Sequence, residues 1–271
     1  DLFRGMRAPT RPARTTRDIP VSIVGSDTLT MDVYRPVSDG PYPVLVQVYG
    51  GAWQRGDPGA FAPFAERMAD LGYLVMAIDY RHAPAHRFPA QLDDVRHALA
   101  WIGANADIWS ADTSRLALIG RSAGAHLAML AAYAPDAPRI RGVVDYYGPV
   151  DLIEGYRNPP SPDPLDVRAI EEAFIGGTPD SLPDQYRAAS PISLVTRHVP
   201  PTLLIYGGRD HIVEPRFGTL LAGRLRAEGN VVVHVEIPWA EHAFDNVPNG
   251  PSGQLAQYVT ERFLASVMNA R

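Results

Sequence analysis

From Ile19 the chain carries two short runs in which apolar and polar residues alternate, over 19–24 and 29–34. A period of two marks a half-covered strand, and two such runs in succession predict antiparallel strands at a sheet edge. The pattern then changes. Residues 43–49 are apolar almost without a break, and comparable runs recur at 74–78, 116–119, 142–146, 202–206 and 231–237. Such strands are expected where helices cover both faces of a sheet. Between them, segments near 60–71, 91–105, 123–133, 215–228 and 254–268 space apolar residues three and four apart, as a helix with one buried face does. Strand and helix therefore alternate. This predicts an α/β chain with a mostly parallel sheet of about eight strands, right-handed crossovers, and functional residues in loops at the carboxyl ends of strands.

The alternation breaks once, at about 150–199, where Pro159, Pro160, Pro162 and Pro164 crowd a loop ahead of a short helix predicted near 167–174. Placed after a strand, this insertion should overhang the loops at the strands' carboxyl ends, as a wall or lid of a site or as plain surface loop. Residues 1–18, with Arg4, Arg7, Arg11, Arg14 and Arg17, read as a basic, flexible tail. Residues 19–271 read as one domain.

Composition narrows the chemistry. The net charge of -5 gives no footprint for nucleic acid. All 25 basic residues are Arg, and there is no Cys. A Schiff base, a Ser-Lys dyad, a P-loop lysine, a thiol nucleophile and a thiolate metal site are thereby excluded. No run approaches the roughly 18 apolar residues of a membrane span, and no signal-peptide core is present, which favours the cytoplasm. The start at Asp1 rather than Met leaves room for an upstream anchor or signal. Nothing in the sequence excludes a homodimer.

The stretch Gly120-Arg121-Ser122-Ala123-Gly124 follows one predicted strand and precedes a helix-like run. Gly-x-Ser-x-Gly alone is weak, with about 0.1 chance matches in a chain this long. Its strand–turn–helix context is what a nucleophilic serine on a sharp turn requires, with glycines where a Cβ would meet neighbouring backbone. A second glycine turn, Tyr49-Gly50-Gly51-Ala52-Trp53, follows the strand at 43–49. The N–H groups of Gly51, Ala52 and Ala123 are the candidate donors to a developing oxyanion. Gly50 is expected to take a positive φ, and Trp53 to pack beneath the loop or line the pocket.

Among eight histidines, His242 follows the last strand and precedes the last helix, where chain order Ser, acid, His puts a general base. The acid should end the preceding strand, which selects Asp210 and leaves Glu214 as the fallback. His82 and His86 are separated by Pro84 and make no helical metal pair, so no metal and no cofactor are implied. Asp245 and Glu241, flanking His242, are accounted for by capping or solvent exposure. Arg81 and Asp94 read as structural.

With these residues in place the chain resembles the esterase branch of the α/β-hydrolase superfamily, near the hormone-sensitive-lipase-like and acetyl-esterase or feruloyl-esterase-like bacterial enzymes. The resemblance covers roughly 20–268 and includes Asp79-Tyr80-Arg81-His82-Ala83-Pro84, Phe88-Pro89-Ala90, Tyr147-Gly148-Pro149-Val150-Asp151-Leu152 and Ala189-Ser190-Pro191-Ile192. It implies a serine carboxylesterase acting on esters of short to medium acyl chains, with a small-molecule ester as its partner, through Ser122, Asp210 and His242. An arylformamidase or other amide hydrolase, and a non-catalytic ligand-binding member of the fold, are the alternatives. Three departures stand out. Tyr49 replaces the family's first histidine of the oxyanion motif. Arg121 places a cation or a salt bridge beside the serine, and with Trp53 is a candidate substrate-binding residue. Only 48 residues precede Tyr49 here and read as a tail plus two strands, so the large helical N-terminal cap of the lipase-like enzymes is expected to be absent.

Overall fold

The computed structural model describes residues 13–269. Eight strands form a single sheet in the order β1-β2-β4-β3-β5-β6-β7-β8. They are β1 (Arg14–Val24), β2 (Asp27–Arg35), β3 (Tyr42–Val48), β4 (Leu74–Ile78), β5 (Ala111–Arg121), β6 (Gly142–Tyr146), β7 (Thr202–Gly207) and β8 (Val232–Ile237). The two alternating runs pair antiparallel as β1 and β2, β2 joins β4 antiparallel, and every remaining pair is parallel. Strands β4, β6 and β7 are buried along their whole length, as continuous apolar runs demand.

The edge strand is longer than its hydrophobic pattern suggests. β1 begins at Arg14, inside the expected tail, and Arg14, Thr15 and Thr16 pair with Arg35, Tyr34 and Val33. These residues are solvent-exposed, so no alternation announces them; backbone pairing alone extends the strand. The register then shifts between Thr16 and Ile19, where Asp18 takes φ 55° and donates its N–H to Asp32 Oδ1. The arginines at positions 4, 7 and 11 lie outside the described residues.

Nine α-helices lie among the described residues: α1 (Ala62–Asp70), α2 (Ala90–Ala104), α3 (Ala106–Trp109), α4 (Ala123–Tyr133), α5 (Leu152–Arg157), α6 (Val167–Ile175), α7 (Pro183–Ala188), α8 (Arg216–Ala227) and α9 (Pro251–Met268). α4 is apolar on every side and wholly buried, packed on β5, β6 and α2. α9 also packs on β5 and β6, and Glu261 on it pairs with Arg67 of α1 at 3.1 Å. The centre of the sheet is thus covered twice. The insertion forms α5, α6 and α7, one more helix on either side of the single one its sequence pattern reveals. No described helix is long and apolar enough to cross a membrane.

Candidate active site

β5 ends at Arg121 and α4 begins at Ala123, so the reversal between them falls on Ser122, which takes φ 52° and ψ -123°. A non-glycine residue in that region is strained and is held there by its surroundings. The crowding is visible on both sides. A Cβ at Gly120 would stand 2.3 Å from Gly124 O, and one at Gly124 2.2 Å from Tyr49 O. No side chain fits either gap, so the serine turn closes only with glycines two positions before and after it.

Ser122 Oγ lies 3.1 Å from His242 Nε2, and His242 Nδ1 lies 2.7 Å from Asp210 Oδ2. The other oxygen of Asp210 accepts from Ile212 N–H and Val213 N–H at 2.8 and 2.9 Å. The carboxylate is buried and its orientation is set by these two backbone donors. Two further bonds sew its loop to that of His242: Gly208 N–H to Ile237 O at 2.8 Å and Arg209 N–H to Ala240 O at 2.9 Å. Glu214, the fallback acid, binds Arg216 instead at 2.8 Å, and His211 pairs with Glu241 on the surface.

The glycine turn after β3 is closed by Gln54 and Arg55 N–H, both donated to Gly51 O. Positive φ falls at Gly51 (128°), Ala52 (55°) and Trp53 (59°), not at the expected Gly50. Gly50 is small for another reason: a Cβ there would stand 2.6 Å from Arg121 O. The turn therefore rests against the serine turn itself. Ala123 N–H, at the first position of α4, has no intrahelical acceptor by helix geometry. Gly51, Ala52 and Ala123 all border the same cleft as Ser122 and His242.

Tyr49 takes over the bracing of this turn. Its hydroxyl donates to Asp79 Oδ1 at 2.5 Å and receives His82 Nε2–H at 2.9 Å, while its ring stacks on Tyr80 at 4.4 Å. Tyr80 returns a hydrogen bond to Tyr49 O at 3.1 Å. Burial pushes the Asp79 carboxyl above the usual carboxylate range and the His82 imidazole below its usual value. Arg81 meanwhile holds Asp94 with two nitrogens, which fixes the loop carrying His82.

Trp53 is buried under the turn and also borders the cleft. Its Nε1–H donates to His126 Nδ1 at 3.1 Å, and its ring stacks on Phe174 of α6 at 4.2 Å. His126 Nε2–H in turn donates to Ala189 O at 2.6 Å. Both ring nitrogens are thereby assigned, and burial pushes the imidazole down to about 4, so it is neutral near pH 7.

Arg121, expected among the residues that meet substrate, is almost fully buried although it borders the cleft. Its Nε–H donates to Asp245 Oδ2, and its guanidinium lies 4.0 Å from the Phe61 ring centroid and 4.5 Å from that of Phe64. Asp245 is consequently not the exposed or capping residue its sequence position suggests. Its side chain is only 8% exposed, and it also accepts from the Tyr147 hydroxyl. The sequence suggested a cation or a salt bridge at Arg121 but not its partner, which lies 124 residues away.

The cleft has a volume of about 520 Å³. Trp53, Phe61 and the glycine turn form one side, and Asn158, Pro160, Ile170 and Glu171 of the insertion, with Phe217 of α8, form another. The insertion is thus a wall. Glu171, which no sequence signal separated from its polar neighbour Glu172, faces this space. Among the described residues no cluster of three His, Asp or Glu side chains is arranged to hold a metal ion.

Residues 31–225 match the model of the BD-FAE family. The chain belongs to the BD-FAE family. Of curated relatives, Esterase LipC of Mycobacterium tuberculosis is 35% identical over 258 residues, 89% of this chain and 63% of the relative. Esterase LipQ of the same organism is 31% identical over 96% of this chain and 64% of its own length. The chain therefore spans just under two thirds of the length of these relatives. Among solved structures, the butyrate-bound esterase Est2 of Thermogutta terrifontis superposes with a TM-score of 0.78 at 24% identity, over 93% of this chain and 94% of that one. This BD-FAE chain has the α/β-hydrolase fold.

Proposed function

We propose that this BD-FAE chain is a serine carboxylesterase acting on esters of short to medium acyl chains. The observation that carries the reading is the hydrogen-bonded series Ser122 Oγ, His242, Asp210 at the edge of a cleft. His242 Nε2 removes the serine proton as Oγ attacks the ester carbonyl. Asp210 keeps the proton of His242 on Nδ1, so that Nε2 is the free base, and stabilises the imidazolium that forms. Negative charge on the carbonyl oxygen is received by Gly51, Ala52 and Ala123 N–H, each such donor being worth about 2.7–4 kcal/mol of barrier. His242 then returns its proton to the departing alcohol. Water, deprotonated by the same nitrogen, cleaves the acyl-serine in the second half of the reaction.

Support comes from the relatives, two of which are named esterases, and from a cleft large enough for an acyl chain of a few carbons. The test is a p-nitrophenyl ester series from acetate to decanoate with wild type and Ser122→Ala. Wild type should turn over the shorter members, and the variant should lose roughly 10³-fold or more in kcat. Full turnover by Ser122→Ala would overturn the proposal. A matched ester and anilide pair reports on amide chemistry, with higher kcat/KM for the anilide replacing esterase by amidase. Failure of Ser122 to react with a fluorophosphonate would point to a non-catalytic binding protein.

A further inference from the structure

Helix α6 buries Glu171, Phe174 and Ile175, positions three and four apart on one face. A glutamate on that face occupies a place where an aliphatic residue would complete the apolar stripe. Its neighbours on these helices are apolar. Ile170 and Val167 from the same helix, and Phe217 and Val213 from α8 and the segment before it, border the same cleft. Glu171 is 3% exposed, and its Oε2 has no hydrogen-bond partner. Its Oε1 sits over α5 so closely that a Cβ on Gly155 would approach it to 2.8 Å. Buried polar atoms are almost always satisfied, so an unmatched carboxyl oxygen in the wall of a cleft points to a bonding partner brought by a ligand.

The charges around it restrict what that atom can be. Burial holds the Glu171 carboxyl well above the usual carboxylate range, and the like charge of Asp151, at the start of α5, adds to it. The groups coupled to it are Asp151 and the buried phenol of Tyr186, neither of which supplies positive charge. Arg216, on the same cleft, is committed to Glu154, Glu214 and Asn158 O. A protonated carboxyl both donates and accepts one strong hydrogen bond. Its match is a neutral group that does the same, a hydroxyl. An ammonium would need the carboxyl ionised and would share the cleft with Arg55 and Arg216.

We propose that Glu171 is a specificity residue of the cleft, binding a hydroxyl on the acyl or alcohol arm of the ester that lies along α5, α6 and α8. This rests on the esterase reading of the same cleft. An apolar wall disfavours a hydroxyl by leaving it unpaired, whereas a wall carrying one unmatched polar group disfavours the alkyl isostere. The preference therefore changes sign with this one side chain.

The experiment compares near-isosteric pairs: p-nitrophenyl 6-hydroxyhexanoate against heptanoate, and 4-hydroxybutyl butyrate against pentyl butyrate. In wild type, kcat/KM for the hydroxy ester should exceed that for its alkyl partner in at least one pair. In Glu171→Met that ratio should fall by about tenfold or more, carried mainly by KM. Glu171→Gln, which keeps a donor and an acceptor, should retain most of the preference. Three results would overturn the proposal: no hydroxyl preference in wild type in either pair, an unchanged ratio in Glu171→Met, or equal loss in the Met and Gln variants, which would mean that charge is recognised. The wild-type ratio decides even where a variant does not fold. Loss of the esterase reading is distinguished by Ser122→Ala, since its persistence of activity would remove the site altogether, whatever the ratios.

Discussion

Arg121 and Asp245, 124 positions apart in the chain, meet at 2.5 Å between Nε and Oδ2, the arginine fully buried and the aspartate largely so. One precedes Ser122 and the other follows His242 by three residues, so the ion pair is a strut between the two turns whose side chains must stay within hydrogen-bond reach. Tyr147 completes it, donating its hydroxyl to Asp245 while its ring lies 4.5 Å from that of His242. Asp245→Asn leaves a buried guanidinium without its counter-charge, a loss of about 3–5 kcal/mol in comparable buried pairs. The expected outcome is a large drop in unfolding free energy by urea titration. A fall in kcat of about ten- to a hundredfold with little change in KM should accompany it, because Ser122 and His242 drift apart while the cleft remains.

Asp210→Asn tests the role of the carboxylate without changing its shape. Oδ1 is held by Ile212 and Val213 N–H, so the new amide group must turn its NH₂ toward His242 Nδ1. That nitrogen must then accept, which moves the ring proton to Nε2 and leaves no base for Ser122. A loss of about 10⁴ in kcat is expected with an unchanged melting temperature, measured by steady-state kinetics and by thermal unfolding.

Tyr49→Phe isolates the brace of the glycine turn. It removes a donor from Asp79 and an acceptor from His82 while keeping the stack on Tyr80. The loss expected is about 1–3 kcal/mol in stability. Activity should fall in kcat rather than KM, since the turn carries the proposed oxyanion donors. A phenylalanine variant with full kcat would show that the stack alone holds the turn.

Asp145 and His126 give opposing pH dependences to stability. Tyr206 Oη lies 2.7 Å from Asp145 Oδ2 and 2.6 Å from Gly148 O, and one phenolic proton cannot serve both. A protonated Asp145 resolves the conflict by donating to the phenol, which then donates to Gly148. Burial pushes this carboxyl up to about 7, so its stabilisation is present at low pH and is lost as pH rises through about 7. For His126, pushed down to about 4, the sign is reversed: the unfolded imidazole binds a proton below about 6.5, so stability is lost as pH falls from there toward about 4. Melting temperature across pH 4 to 7 should therefore fall toward acid in Asp145→Asn, whose amide can donate to the Tyr206 phenol and accept from Gly148 N–H, as the protonated carboxyl does. It should tilt the other way in His126→Gln. Parallel profiles for the two variants would contradict both assignments.

What the sequence revealed followed the physics of each signal. Strands β3 to β7 were readable because a sheet covered on both faces forces continuous apolar runs, and β1 lost its first residues because an exposed edge imposes no pattern. Gly120 and Gly124 could be interpreted in advance because backbone crowding leaves only one residue type. Gly50 was assigned the right size for the wrong reason. Arg121, Asp245 and Glu171 were opaque: a charged residue looks alike in sequence whether it faces water, a counter-ion or an apolar cleft, and only tertiary neighbours tell these apart. Helices α5 and α7, six residues each, are too short to display a period.

The stack of Trp53 on Phe174, together with the bond from His126 to Ala189, fastens the insertion to the glycine turn and to α4 through one ring face and one carbonyl. Further bonds tie the insertion down away from the cleft, among them Phe88 N–H to Phe174 O, whereas the cleft-facing Asn158, Pro160 and Ile170 belong to no strand. A segment exchanged from a relative, provided it returns an aromatic ring over Trp53 and a carbonyl to His126, would bring a new set of side chains to the cleft and leave the sheet untouched. The fold thus separates what breaks a bond from what chooses the molecule, and lets the second vary on its own.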